Sequence, residues 1–232
     1  MPHTSSQIDT EKLITAQELE QPILVRKALQ KAKAICDRFN TTKANRDYIY
    51  FRKGLTKELF EEVIPLAIYG ADKYAKTDVI LQYYSGSSNS FDGDFISSEG
   101  RLIERVEVTY AVDGHTVQLQ RECATQFGEA PLTRKPRYSG NSKNRVIHPP
   151  EIEIEPSSTP LGIQVKLITE AFEKKNKNIH KYKDMTLLIA VEFPLLLPFE
   201  EESIIKKVEL KGSGFNSVYI VDVYSKLCKQ IA

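Results

Sequence analysis

The chain has 232 residues, 41% of them hydrophobic and 27% charged, with a formal net charge of +1. That size suits one large domain or one domain with an appendage, and a charge near zero excludes whole-protein attraction to nucleic acid or membrane, which leaves local patches. The three cysteines, Cys36, Cys123 and Cys228, form no CxxC pair, so a disulfide framework or a cysteine zinc site is not expected and reduced thiols in a cytoplasm are.

Taken in order, residues 1–10 are polar, with neither the basic start nor the apolar core of a signal peptide. Glu11 to Glu20 reads as a short helix that stops before Pro22. Leu24, Ala28, Ala32, Ile35 and Phe39 then form one apolar stripe at helical spacing. Tyr48, Tyr50 and Phe51 read as a short strand, which completes an N-terminal helical extension over 1–54. Leu55 to Lys76 reads as a helix with Leu59, Phe60, Val63, Ile64, Ala67 and Ile68 inward, kinked or split at Pro65. Glu58, Glu61 and Glu62 lie in its first turns, where the helix dipole favours carboxylates.

Asp78 to Tyr84 reads as a strand. Phe91 to Ala111 follows, a hairpin that opens on Asp92-Gly93-Asp94 and turns at Ser97 to Gly100. On its return strand, Ile103, Arg105, Glu107 and Thr109 alternate with Leu102, Glu104, Val106, Val108 and Tyr110. Glu107 stands between two valines, so its carboxylate is desolvated or paired with a positive charge. A hairpin carrying Asp94 and Glu107 to one end of a sheet suits a hard divalent cation with oxygen ligands, and Mg²⁺ is the usual one. The plainer alternative is that Asp92 and Asp94 cap a turn and Glu107 meets a basic side chain. Asp113-Gly114 then signals a hairpin turn, returning the chain as a strand over His115 to Arg121.

Residues 123–158 hold Pro131, Pro136, Pro149, Pro150 and Pro156 and read as a long excursion. Arg134, Lys135, Arg137, Lys143 and Arg145 lie between Pro131 and Pro150 with no acid among them, beside Tyr138 and Asn141. Cations with an aromatic and amides suit a phosphate backbone, and a solvated loop is the alternative. Thr159-Pro160 opens a helix lined by Leu161, Val165, Ile168 and Phe172, with Lys174, Lys175 and Lys177 at its C-terminal end, as the dipole prefers. Met185 to Val191, continuously apolar, reads as a strand buried on both faces. That longest apolar run is too short to span a bilayer, so no membrane partner is expected. Pro194 to Pro198 is an apolar loop suited to a homodimer contact. Val218 to Val223 reads as a last strand and Ser225 to Ile231 as a terminal helix. None of His3, His115, His148 and His180 is at metal-ligand spacing with another.

The order of elements is α/β, a central mixed β-sheet flanked by helices. With an acid on the second strand and Glu-Val-Thr on the third, Leu55 to Val191 resembles the PD-(D/E)XK nuclease superfamily. The resemblance implies a restriction-endonuclease-like core in a nuclease-like domain over 55–232, behind the N-terminal extension. It implies that Asp94 and Glu107 hold Mg²⁺, or Mn²⁺, with Glu61, or else Glu58 or Glu62, as the helix acid. It also implies phosphodiester hydrolysis in DNA, as in a restriction-type endonuclease. Gly93 stands where the family often has Pro, and Thr109 where it has Lys. Thr carries no charge and is no base near neutral pH. Some members supply that lysine from the following helix, where Lys166 is the candidate. Others have lost activity, so a nuclease-fold protein that binds nucleic acid or a protein partner without cutting is the alternative.

Overall fold

The computed structural model describes residues 13–86, 90–128, 135–141, 144–149, 158–192 and 198–232. Its strands are β1 (Ile23–Leu24), β2 (Ile80–Tyr83), β3 (Gly93–Ile96), β4 (Leu102–Tyr110), β5 (Tyr138–Ser139), β6 (Val146–Ile147), β7 (Thr186–Val191), β8 (Ser217–Asp222) and β9 (Cys228–Gln230). Its helices are α1 (Ala16–Glu20), α2 (Val25–Arg38), α3 (Lys43–Tyr50), α4 (Leu55–Glu58), α5 (Ile64–Lys73), α6 (Gly114–Phe127), α7 (Ser158–Asn176) and α8 (Pro198–Lys207). Seven strands form one sheet in the order β1-β2-β3-β4-β7-β8-β9, and β5 pairs with β6 separately. The β4, β7 and β8 strands are mutually parallel and the other pairings in the large sheet are antiparallel. The fold is therefore α/β with a mixed sheet flanked by helices, as the order of elements implies.

The sheet separates two cores. Val106, Val108, Leu188 and Ala190 pack with Ala28, Ile35, Leu66 and Tyr69 of α2 and α5. Leu187, Ile189 and Val191, on the other face of β7, pack with Ile168 and Phe172 of α7 and Ile204 of α8. Both faces of β7 are thus covered, which is why that strand has no polar alternation. The segment before residue 55 joins the first core: β1 extends the sheet and α2 lies on α5.

Glycine at position 93 has a steric cause. A Cβ there would stand 2.9 Å from Leu66 Cδ1 and 3.3 Å from the Gln82 carbonyl oxygen, so α5 sits on β3 more closely than a side chain permits.

Three expected elements differ, and the split expected at Pro65 is present. Residues 115–121 are helical, within α6, because Asp113 caps a helix here instead of turning a hairpin. Its Oδ1 accepts from the backbone N–H groups of His115 and Thr116, and Gly128 closes the helix at φ +81°. Leu119 and Cys123, four residues apart, form the buried stripe of α6. Tyr48 and Tyr50 belong to α3, capped by Thr42, with Tyr48 stacked on Phe39. Residues 228–230 form β9 and not a helix, because Asp222 takes the N–H groups of Tyr224 and Ser225 and folds the chain back along β8. Between α4 and α5, residues 59–63 form a π-helical turn; Pro65 has no N–H for the ordinary ladder, and the wider turn absorbs that break. The loop expected to serve a dimer, Pro194 to Pro198, lies outside the described residues up to 197.

Replacing Asp113 by Ala is expected to cost about 1 kcal/mol, as loss of a helix cap does. Asp113→Asn should keep most of it. Denaturant melts of the two variants check this, and an unchanged midpoint in Asp113→Ala would argue against the cap.

Candidate active site

β3 and β4 set the site. Their register pairs Gly93 with Val106 and Asp94 with Arg105, and slips by one residue between Phe95 and Ile96. Residues directly opposite in an antiparallel pair share a face. Asp94, Arg105 and Glu107 therefore stand on the face that carries α7, while Val106 and Val108 face α5. Beyond Gly93 the first strand separates from β4, and the Asp92 side chain fills in. Its backbone N–H donates to the Val106 carbonyl, and its Oδ2 accepts from the Val108 N–H at 2.7 Å.

Four carboxylates converge where β3 leaves β4. Glu107, 5% exposed, accepts a hydrogen bond from Lys175 Nζ of α7. From the other layer, Glu58 of α4 and Glu62 of the π turn both accept from the Tyr83 hydroxyl, at 2.9 and 2.6 Å. Glu58 also accepts from the Ser85 hydroxyl at 2.6 Å. Asp92 lies between the layers and interacts electrostatically with Glu107, Glu58, Glu62 and Lys175.

Burial first, then the Asp92 charge, pushes the Glu62 carboxyl up to about 7. Asp92 is also raised, by burial and then by Glu107. Glu107 is raised by burial although Lys175 opposes the shift. Burial pulls the Lys175 ammonium down, and the Glu107 carboxylate more than offsets it, leaving it above the ordinary value. The acids and the base all hold protons more tightly than usual. Burial comes first for all three acids, repulsion from neighbouring carboxylates adds to it, and the Glu107 carboxylate is what lifts Lys175.

Among the described residues, no three histidine, cysteine or acidic side chains are arranged to hold a metal ion as they stand. The donor chemistry still fits a hard divalent cation. Asp92 and Glu107 offer carboxylate oxygens where β3 leaves β4, the donor type that such an ion takes.

The other expected site residues are placed as follows. Asp94 is paired with Arg105, which donates Nε–H to Oδ1 at 2.9 Å and Nη2–H to Oδ2 at 3.1 Å. Glu61 turns toward Arg52 and Lys57, at 3.9 Å from each. Thr109 lies half-buried on β4 opposite Ile189. Lys166 is exposed on α7 beside Glu170 at 3.7 Å. In the basic excursion, Lys135 and Arg145 lie over the Tyr138 ring, at 5.5 and 5.9 Å from its centre. Arg145 is also neutralised by Glu122 of α6 at 2.8 Å, a partner that lies outside the acid-free run. Arg137 is exposed. Arg134 and Lys143 fall outside the described residues.

Sequence reasoning credited Lys175 to the helix dipole and Asp92 to a turn. Either is recoverable only from the register of the hairpin and the rotation of α7. Comparison with protein-family models, with curated proteins and with solved structures finds no match. Among the described residues, no helix is long and apolar enough to cross a membrane.

The raised Glu62 gives a signed pH dependence. Its folded pKa of about 7 lies above the ordinary 4.5, so between those values the folded chain holds a proton that the unfolded chain has released. Stability from this group is complete below about pH 4.5 and is lost as pH rises through about 7. Thermal melts of Glu62→Gln against wild type are expected to show the variant gaining relative stability from pH 5 to pH 8. A constant difference would contradict the shift.

Proposed function

We propose that this chain is a Mg²⁺-dependent nuclease that hydrolyses phosphodiester bonds in DNA. One observation carries the reading: Asp92, Glu107 and Lys175 converge where β3 leaves β4, in a cluster of four carboxylates and one ammonium. The residues assigned are two carboxylates on adjoining strands and a lysine from the helix that follows. That lysine stands where the resemblance allows one to migrate, nine residues beyond Lys166.

Asp92 and Glu107 would hold the metal. When bound, it would lower the pKa of a water molecule and offset charge on the phosphoryl oxygens. Lys175 holds Glu107 in place and keeps an ammonium beside the reacting phosphate, where a fixed positive charge stabilises developing negative charge. Glu58 and Glu62, locked by Tyr83 and Ser85, keep the cluster anionic and so favour retention of a cation. Burial of Glu62 gives it a carboxyl that exchanges a proton near neutral pH, the range a general acid or base needs. Thr109, with no charge, is left at most a hydrogen bond to water or substrate. Lys135, Arg137 and Arg145 around Tyr138 supply sequence-independent contact with a phosphate backbone.

The test is Mg²⁺- and Mn²⁺-dependent cleavage of plasmid and single-stranded substrates. Glu107→Gln and Asp92→Asn are expected to reduce cleavage to background. Lys175→Ala should lose about 10²-fold or more, as removal of one preorganised charge does, while Lys166→Ala should retain wild-type rates. Salt-sensitive binding without cleavage by the wild type would instead favour a nuclease-fold protein that recognises nucleic acid and leaves it intact.

A further inference from the structure

Beside the acid cluster stands a second built arrangement, one cation wide. Arg105 lies two residues before Glu107 on β4 and on the same face. Its guanidinium is fixed on two sides. Asp94, whose side chain is 6% exposed, takes Nε–H and one Nη2–H as a bidentate pair. The Phe91 ring lies 3.8 Å from the central carbon. Tyr84 holds this support in turn, donating its hydroxyl to Asp94 Oδ2 at 3.2 Å and meeting the Phe91 ring edge-on at 5.2 Å. Asp94 raises the Arg105 pKa, first by hydrogen bond and then by charge, so the fork stays protonated.

A side-on pair of this kind engages one edge of the planar guanidinium. The remaining donors, on Nη1 and the other Nη2 proton, lie at the opposite end, and the Arg105 side chain is 37% exposed. Freezing an arginine on an aromatic face and a buried carboxylate leaves an oriented fork matched to the oxygens of a phosphate. Residues two apart on a strand are about 6.6 Å apart, comparable to the separation of neighbouring phosphates along one nucleic-acid strand. Arg105 is also the one cation that β4 itself carries.

We propose that Arg105, oriented by Asp94 and Phe91, is a phosphate-binding residue that holds the phosphodiester next to the one presented to Glu107. This rests on the nuclease reading and deepens it. The fork binds backbone and not base, so it fixes the register of the strand in the site. Asp94 on this assignment is a positioning residue: it aims the guanidinium and leaves the metal to Asp92 and Glu107.

The test is fluorescence anisotropy of wild type, Arg105→Gln, Arg105→Lys, Arg101→Gln and the double variant Asp94→Asn/Arg105→Gln. The probes are a labelled DNA duplex and a labelled single strand, with Ca²⁺ in place of Mg²⁺ and a range of salt. The double variant keeps the net charge and a hydrogen-bonded pair, so a purely structural ion pair would be repaired by it. Phosphate binding by Arg105 predicts that Arg105→Gln and the double variant both lose one phosphate contact. The slope of log affinity against log salt should then fall by about 0.9 on duplex or about 0.7 on a single strand. Arg105→Lys should regain the slope, and Arg101→Gln, at an 80% exposed position paired with Glu99, should leave it unchanged. A wild-type slope in the double variant overturns the proposal and leaves the nuclease reading standing. Absence of salt-dependent binding by the wild type overturns both. Thermal melts accompany each variant, and if Arg105→Gln unfolds, Arg105→Ala in the Asp94→Asn background carries the comparison.

Discussion

The site depends on a single irregularity in strand pairing. Between Phe95 and Ile96 the register of β3 against β4 slips by one residue, with Ile103 as the extra residue on β4. Without that bulge Asp92 would stand opposite Val106 and Asp94 opposite Glu104, and both aspartates would face α5. With it, Asp94 comes opposite Arg105 on the face that α7 covers, and Asp92, just before β3, lies close enough to Glu107 for their charges to interact. One inserted residue therefore decides which acids share a compartment. It also gives the two aspartates of Asp-Gly-Asp different surroundings, Arg105 for Asp94 and the Glu107 cluster for Asp92.

What the bulge brings together, the surrounding layers then refuse to neutralise. Glu104, on the other face of β4, shows the contrast. It accepts from Tyr69, Tyr74 and Lys73, and although burial opposes it, those hydrogen bonds hold its carboxyl below the ordinary range. Glu104 is a carboxylate at rest. The cluster around Asp92 and Glu107 has one ammonium for its acids and is shifted the opposite way. Two glutamates of one strand differ because the donors around Glu104 outweigh its burial, whereas burial of Glu107 outweighs the one ammonium of Lys175.

Much of the architecture was legible. The apolar run at Met185 to Val191 announces a doubly covered strand, and the stripe from Leu24 to Phe39 announces α2, because burial imposes period directly on sequence. The errors came where one residue pair serves two purposes. Asp113-Gly114 fits a hairpin turn and a helix cap equally well, and only the Leu119 and Cys123 spacing distinguishes them. In the site, Glu107 was readable from its valine neighbours. Which of Asp92 and Asp94 lies beside Glu107 and which pairs with Arg105 was not, since it hangs on a bulge that no residue type marks. Lys175 was hidden by its own sequence context: lysines crowd the end of α7 for electrostatic reasons, and their number conceals the one that turns inward.

The acids and their lysine come from distant parts of the chain, from Glu58 and Glu62 through Asp92 and Glu107 to Lys175. The hairpin is local, but Lys175 arrives only after the crossover through α6 and α7 has brought β7 alongside β4 in parallel. Long-range parallel pairing is intrinsically slow because chain entropy is lost before contacts repay it. The hairpin acids are close in sequence, and their counter-charge comes from 68 residues beyond Glu107. During synthesis Lys175 is added only after all four acids are in the chain, so the residue that meets Glu107 is the last of the group to be made.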